Sequence, residues 1–288
     1  MAFRRKTDRT TEVRQKFFRN RIPMRFRGRR PLKAQTLTGM IPNITTLMAL
    51  CCGMTAIRFA LLEKWEFAIV SILLAAILDA LDGRLARLLN STSRFGAELD
   101  SFADFLNFGV APALIMYLRG LSHWGEIGWA ISLFFTICMV LRLARFNVMS
   151  VALNQPAWLQ GFFIGVPAPL GGFLGVYPII IQHAFPTLLW VQFPVCYAFF
   201  MLLAGCLMVS RIPTFSLKKM IIPSSQVMPF LLGLFASVGL LYSYPWLTLT
   251  LLGVGYIALI PFAFVKFKEH ERKTMIHEDD VSGKIVDD

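Results

Sequence analysis

Long apolar stretches recur along this chain and constrain its fold more than any other feature. A transmembrane helix needs about 20 consecutive, mainly apolar residues, and eight stretches approach that length. Their approximate limits are 42–62, 66–89, 96–118, 126–148, 161–182, 190–209, 226–243 and 246–266. With 56% hydrophobic and only 16% charged residues, the chain is too apolar for an ordinary soluble domain. We therefore predict an all-α, polytopic membrane helical bundle of about eight transmembrane helices.

Positive charge is concentrated near the N-terminal end. Residues 1–33 carry thirteen Lys or Arg and two acidic residues, a local charge of +11 within a net charge of +12. Further basic residues lie at the ends of the even-numbered spans or follow them, namely Arg94, Arg142, Arg145, Arg211, Lys218, Lys219, Lys266, Lys268, Arg272 and Lys273. Because cytoplasmic loops are enriched in Lys and Arg, both termini are predicted to be cytoplasmic. The basic arm is expected to serve as a topology signal and to meet anionic membrane lipids, not nucleic acid.

Acidic residues inside the second and third predicted spans form a spaced pattern. It reads D-x2-D-G-x2-A-R-x8-G-x3-D-x3-D, with fixed positions at Asp79, Asp82, Gly83, Ala86, Arg87, Gly96, Asp100 and Asp104. Spacings of three, four and seven on one span, and of four on the next, place each set on one helix face. A short turn around residues 90–93 would bring the two faces together. Because a carboxylate at a membrane-helix centre costs about 2.5 to 3.5 kcal/mol, four of them need compensation.

Divalent cations supply that compensation most simply. Mg²⁺ and Mn²⁺ prefer oxygen ligands, and the pattern contains neither histidine nor cysteine. Two such ions about 3.5 to 4 Å apart can clamp phosphate oxygens during an in-line displacement. We therefore predict a site for two Mg²⁺ or Mn²⁺ ions and phosphoryl-transfer chemistry. The alternatives are a divalent-cation transporter, structural ion pairs with nearby arginines, and a membrane scaffold without turnover.

At every fixed position this pattern resembles the signature of the CDP-alcohol phosphotransferase family, also called CDP-alcohol phosphatidyltransferases. These membrane enzymes move a phosphatidyl or similar group from a CDP-linked donor to an alcohol. The resemblance implies that Asp104 is the base for the acceptor hydroxyl, and it implies a homodimer. The implied metal ligands are Asp79, Asp82, Asp100 and Asp104. The implied ligands of CDP and its phosphates are Asp82, Gly83, Ala86, Arg87 and Gly96.

Flanking segments resemble the bacterial, membrane-embedded phosphatidylserine synthases of that family. These segments are residues 41–43, 99–113, 142–147 and 210–216. The resemblance implies CDP-diacylglycerol as donor, L-serine as acceptor and CMP as product. Guanidinium groups suit carboxylates and phosphates, so Arg142 and Arg145, with Asn147, are candidates to contact the acceptor or the lipid phosphate. Choline, glycerol phosphate or inositol phosphate remain alternative acceptors, and the two arginines could instead only anchor the helix.

Together these features predict four regions. They are a basic cytoplasmic arm at 1–38, a catalytic membrane domain of six helices at 39–220, two further transmembrane helices at 221–267, and a polar tail at 268–288. The expected location is the bacterial inner membrane, with the active site at its cytoplasmic face.

Overall fold

The computed structural model describes residues 37–151, 162–210, 213–215 and 227–260, and almost all of them are helical. The α-helices are α1 Leu37–Leu61, α2 Trp65–Leu88, α3 Arg94–Asp104, α4 Ala111–Arg119, α5 Glu126–Val151, α6 Ala168–Ala184, α7 Pro194–Val209, α8 Val227–Ser243 and α9 Pro245–Ile260. A π-helix, Phe105–Val110, joins α3 to α4, and 3-10 turns occupy Leu121–Trp124 and Leu189–Gln192. Each of the eight predicted spans contains a helix, which confirms the all-α prediction.

Three helical segments in the described part of the chain are long and apolar enough to cross a membrane. They are Gly39–Leu61, Arg94–Arg119 and Glu126–Met149, while α7 and α9 are apolar but shorter. Helix α2 has 24 residues but carries Asp79 and Asp82 within its apolar sequence. The chain is a multi-pass membrane protein whose second helix places charge inside the bundle.

The fifth predicted span begins later than the sequence pattern indicated. Its helix starts at Ala168, not at residue 161, because the preceding residues form a strand. Strand β1, Phe162–Ile164, pairs antiparallel with β2, Pro213–Phe215. Gly165 then turns the chain with a φ of +82°, a conformation that glycine adopts without steric cost. The strand pair was not predicted, since its two short segments lie far apart in the sequence.

The π-helix lies at the centre of the bundle, where it contacts α1, α5 and α6. Small residues permit this close approach. A Cβ added to Gly53 would lie 2.0 Å from Asn107 Oδ1, and one added to Gly172 would lie 2.9 Å from Phe108 Cα. Asn107 and Phe108 are accordingly buried. This packing holds the C-terminal end of α3, where Asp104 lies.

The predicted basic arm, apart from residues 37 and 38, lies outside the described residues, as does the predicted polar tail at 268–288. The division into four regions stays a prediction.

Candidate active site

A tight turn between α2 and α3 sets the geometry of the site. Asn90 has a φ of +48°, in the left-handed region that asparagine tolerates better than most residues. Ser93 is the N-cap of α3, and its hydroxyl accepts a hydrogen bond of 3.0 Å from the Gly96 amide. Side-chain capping of this kind stabilises a helix start. The chain therefore reverses within a few residues, and α3 returns alongside the end of α2.

Three aspartates converge across this helical hairpin. Asp79 and Asp82 on α2 and Asp100 on α3 each offer a carboxylate oxygen, and these oxygens lie within 4.8 Å of one another. Asp82 is buried, with 4% of its surface exposed. Like charges held this closely repel one another in a medium of low dielectric. An all-oxygen donor set with this spacing fits a hard divalent cation such as Mg²⁺ or Mn²⁺.

Asp104, one turn beyond Asp100, extends the cluster. Its carboxyl group lies close to that of Asp79. Its Oδ1 atom is buried and has no hydrogen-bond partner among the described residues. A buried polar atom without a partner is uncommon in native proteins and calls for an explanation such as a bound ion or a catalytic role. Asp104 therefore has an acceptor atom available inside the site.

Helix α1 contributes a residue that the sequence analysis did not select. The Thr46 hydroxyl donates a hydrogen bond of 2.6 Å to Asp82 Oδ2, and both side chains are buried. A polar partner of this kind orients a carboxylate that binds a metal. Thr46 follows Asn43 by three residues, so two polar side chains lie on one face of a mainly apolar helix. This spacing is the sequence feature that could have identified Thr46 as a site residue.

A cavity of about 330 Å³ opens beside the aspartates. All the residues that the family resemblance implied for CDP binding line it, namely Asp82, Gly83, Ala86, Arg87 and Gly96. The remaining lining residues are Pro42, Asn43, Thr46, Ser91, Thr92, Ser93, Ala97 and Asp100. A Cβ on Gly83 would meet no atom within 4 Å, so this glycine leaves the cavity open. A volume of this size suits a small-molecule ligand.

The three candidate acceptor residues on α5 have different surroundings. Arg142 lies within electrostatic range of Asp104 and Asp79, and its Nε donates a hydrogen bond of 2.6 Å to the Val166 carbonyl. Arg145 donates instead to the carbonyls of Val209, at 2.7 Å, and Ser210, at 3.3 Å, which end α7. Asn147 donates to Ser101 Oγ at 3.0 Å. Arg142 therefore faces the aspartates, whereas Arg145 holds the end of a neighbouring helix.

Two family models match this chain and show which protein family it belongs to. The family model for CDP-alcohol phosphatidyltransferases matches residues 39–209, and a second model, CDP-alcohol phosphatidyltransferase 2, matches residues 226–261. The chain belongs to the CDP-alcohol phosphatidyltransferase family. The matched regions cover the aspartate cluster, the cavity and the C-terminal helices α8 and α9.

Individual relatives give a finer comparison within this family. A protein of Mycobacterium bovis named CDP-diacylglycerol--serine O-phosphatidyltransferase is 38% identical over 237 residues, which are 82% of this chain and 81% of the relative. Proteins with the same name from Helicobacter pylori and Bacillus subtilis are each 39% identical. The first match covers 62% of this chain and 73% of the relative. The second covers 46% and 71%.

Proposed function

We propose that this chain is a phosphatidylserine synthase that transfers the phosphatidyl group from CDP-diacylglycerol to L-serine and releases CMP. One observation carries the proposal. The aspartates of α2 and α3 converge at the wall of a cavity that the family's CDP-binding positions line. The shared name of relatives from several bacteria supports serine as the acceptor.

The cavity would receive the cytidine diphosphate part of the donor. Gly83 leaves room for it, and Arg87 supplies positive charge for a phosphate, which a guanidinium binds through charge-assisted hydrogen bonds. The acyl chains would remain in the bilayer between helices. This arrangement suits a donor that cannot leave the lipid phase.

In the proposed reaction, the serine hydroxyl attacks the phosphorus that bears the diacylglycerol. A new P–O bond forms to serine, and the pyrophosphate P–O bond breaks so that CMP leaves. Asp104 accepts the hydroxyl proton, for which its buried Oδ1 is free of protein partners among the described residues. Arg142, within electrostatic range of Asp104, is placed to bind an anionic group of the acceptor or of the lipid.

Asp79, Asp82, Asp100 and Asp104 would hold two Mg²⁺ or Mn²⁺ ions. Bound divalent ions neutralise the charge that develops on the attacking and leaving oxygens during phosphoryl transfer. Direct contact of Arg145 and Asn147 with the acceptor stays a prediction.

We also propose a membrane location and an oligomeric state for this protein. The site would lie at the cytoplasmic face of the bacterial inner membrane, with both termini cytoplasmic, because the basic residues follow the even-numbered spans. The basic arm would bind anionic lipids, and the protein would be a homodimer. Reporter fusions at each terminus test the orientation, and the mass of the purified protein–detergent complex tests the dimer.

The deciding experiment uses purified full-length protein, CDP-diacylglycerol and Mg²⁺ or Mn²⁺. CMP release is measured with and without L-serine, and then with choline, glycerol phosphate or inositol phosphate. Serine-dependent CMP release is the expected result. If another alcohol alone supports release, the acceptor assignment is wrong. If proteoliposomes move divalent cations and release no CMP, the transporter alternative is correct.

A further inference from the structure

Helix α9 packs against α6, and the two helices run antiparallel. Near the start of α9, the Trp246 ring lies 4.7 Å from the His183 ring at the end of α6. Further along α9, Thr250 accepts a hydrogen bond of 2.5 Å from the Tyr177 hydroxyl. A Cβ on Gly253 would lie 2.2 Å from the Tyr177 ring, so the two helices are in close contact. Tyr256 follows Gly253 by three residues and lies on the same face of α9.

Because α9 runs antiparallel to α6, Tyr256 lies toward the start of α6, the end at which the Val166 carbonyl accepts a hydrogen bond from Arg142. Tyr256 lies within electrostatic range of Arg142, and its hydroxyl is buried without a hydrogen-bond partner among the described residues. Arg142 uses its Nε for the Val166 carbonyl, and its two terminal amino groups are further donors that suit an anion. In the part of the chain that the structure describes, no ion pair joins Arg142 to Asp104 or Asp79.

Polar groups from three helices therefore interact electrostatically beside the aspartates. They are Asp104 from α3, whose Oδ1 is also without a partner, Arg142 from α5, and Tyr256 from α9. A buried phenol, guanidinium and carboxylate oxygen with spare hydrogen-bonding capacity are typical of a site that binds a polar ligand.

These groups are separate from the nucleotide cavity. Asp82 and Asp100 line that cavity, whereas Asp104, Arg142 and Tyr256 are absent from its lining. In an in-line displacement the attacking and leaving oxygens are on opposite sides of the phosphorus. If CMP leaves on the cavity side, the acceptor must approach from the side of the aspartates where Arg142 and Tyr256 lie.

We propose that Tyr256 is a specificity-determining residue of the acceptor site, where its hydroxyl donates a hydrogen bond to the carboxylate that Arg142 also binds. The inference rests on the proposed function, because it assigns the amino-acid acceptor to this set of residues. It also gives the C-terminal helix, which is outside the main family match, a direct part in acceptor recognition.

The test is Tyr256→Phe in the full-length protein, which removes only the hydroxyl. Loss of a hydrogen bond to a charged group is expected to raise the KM for serine about tenfold, while kcat and the KM for CDP-diacylglycerol stay within about twofold. The preference for serine over serinamide, which lacks the carboxylate, should fall by a similar factor. A lipid-phosphate contact would instead raise the KM for CDP-diacylglycerol, and that result would overturn the proposal.

Two matched variants separate recognition from packing. Tyr242→Phe changes a side chain that is 92% exposed on α8 and should behave as wild type. Tyr177→Phe removes the hydrogen bond to Thr250 and loosens α9 without removing a group from the acceptor site. If Tyr256→Phe lowers thermal stability and kcat as Tyr177→Phe does, with no selective change for serine, its role is structural and the proposal fails. Wild-type protein without serine-dependent CMP release would refute the proposed function itself.

Discussion

Thr46 on α1 donates a hydrogen bond of 2.6 Å to Asp82 on α2, and this bond ties a helix outside the signature to the aspartate cluster. The Thr46 hydroxyl also lies 3.0 Å from the Pro42 carbonyl within its own helix. A hydroxyl has one proton to donate, and an ionised carboxylate is the stronger acceptor of the two. Helix α1 therefore orients Asp82 through this bond.

Replacing Thr46 with valine should weaken metal binding without unfolding the protein, because valine has nearly the same shape. Loss of an outer-shell partner typically reduces metal affinity by about 10- to 100-fold. We expect the Mg²⁺ concentration for half-maximal CMP release to rise by at least about tenfold. Thr45→Val is the control, because among the described residues the Thr45 hydroxyl bonds the Ile41 carbonyl of its own helix and no aspartate. An unchanged Mg²⁺ dependence in Thr46→Val would show that Asp82 needs no such support.

Asp100→Asn should abolish turnover while the protein still inserts and folds. The substitution keeps the size of the side chain but removes one charge from a group of three oxygens within 4.8 Å. We expect CMP release to fall by more than about hundredfold, since a ligand is lost and not merely its support. Gel filtration and thermal melting in detergent would check the fold, and Glu98→Gln, an exposed position on the same helix, is the control. Retention of half or more of the activity would contradict the metal assignment.

Gly83→Ala should weaken the binding of CDP-diacylglycerol without lowering the stability of the protein. The added methyl group would contact no protein atom within 4 Å, so its volume enters the space proposed for CDP. We expect the KM for CDP-diacylglycerol to rise about tenfold with little change in the KM for serine. Gly233→Ala on α8, which also meets no atom within 4 Å, controls for the general effect of adding a methyl group to a membrane helix. If Gly83→Ala and Gly233→Ala have the same KM for CDP-diacylglycerol, CDP binds elsewhere.

Arg145→Gln should destabilise the bundle, because Arg145 supports the end of α7. Its guanidinium donates to the Val209 and Ser210 carbonyls at the end of α7. Losing charge-assisted hydrogen bonds of this kind costs roughly 1 to 3 kcal/mol. Thermal melting in detergent measures the loss, and Arg58→Gln, an exposed arginine on α1, should melt like the wild type. A selective rise in the KM for serine would instead give Arg145 a place in the acceptor site.

The part of the site that helical spacing sets could be predicted from the sequence. Asp79, Asp82 and Asp100 converge as their positions on α2 and α3 indicated, because a helix repeats every 3.6 residues whatever surrounds it. The turn between these helices was also predictable, since only a short polar segment separates them. The same spacing does not say what each arginine contacts, since Arg142 and Arg145 are three residues apart on α5 yet donate to different carbonyls. Which helix packs against each arginine is not encoded in the spacing.

The amino-acid sequence by itself determined the membrane bundle, the metal-binding pattern and the reaction class, because apolar length and residue spacing are local properties. Only the tertiary structure brought Thr46 to Asp82 and paired the two short strands. These contacts join residues distant along the chain, so they depend on how complete helices pack. Close packing at glycines such as Gly53 and Gly253 decides those positions, and no single segment contains that information.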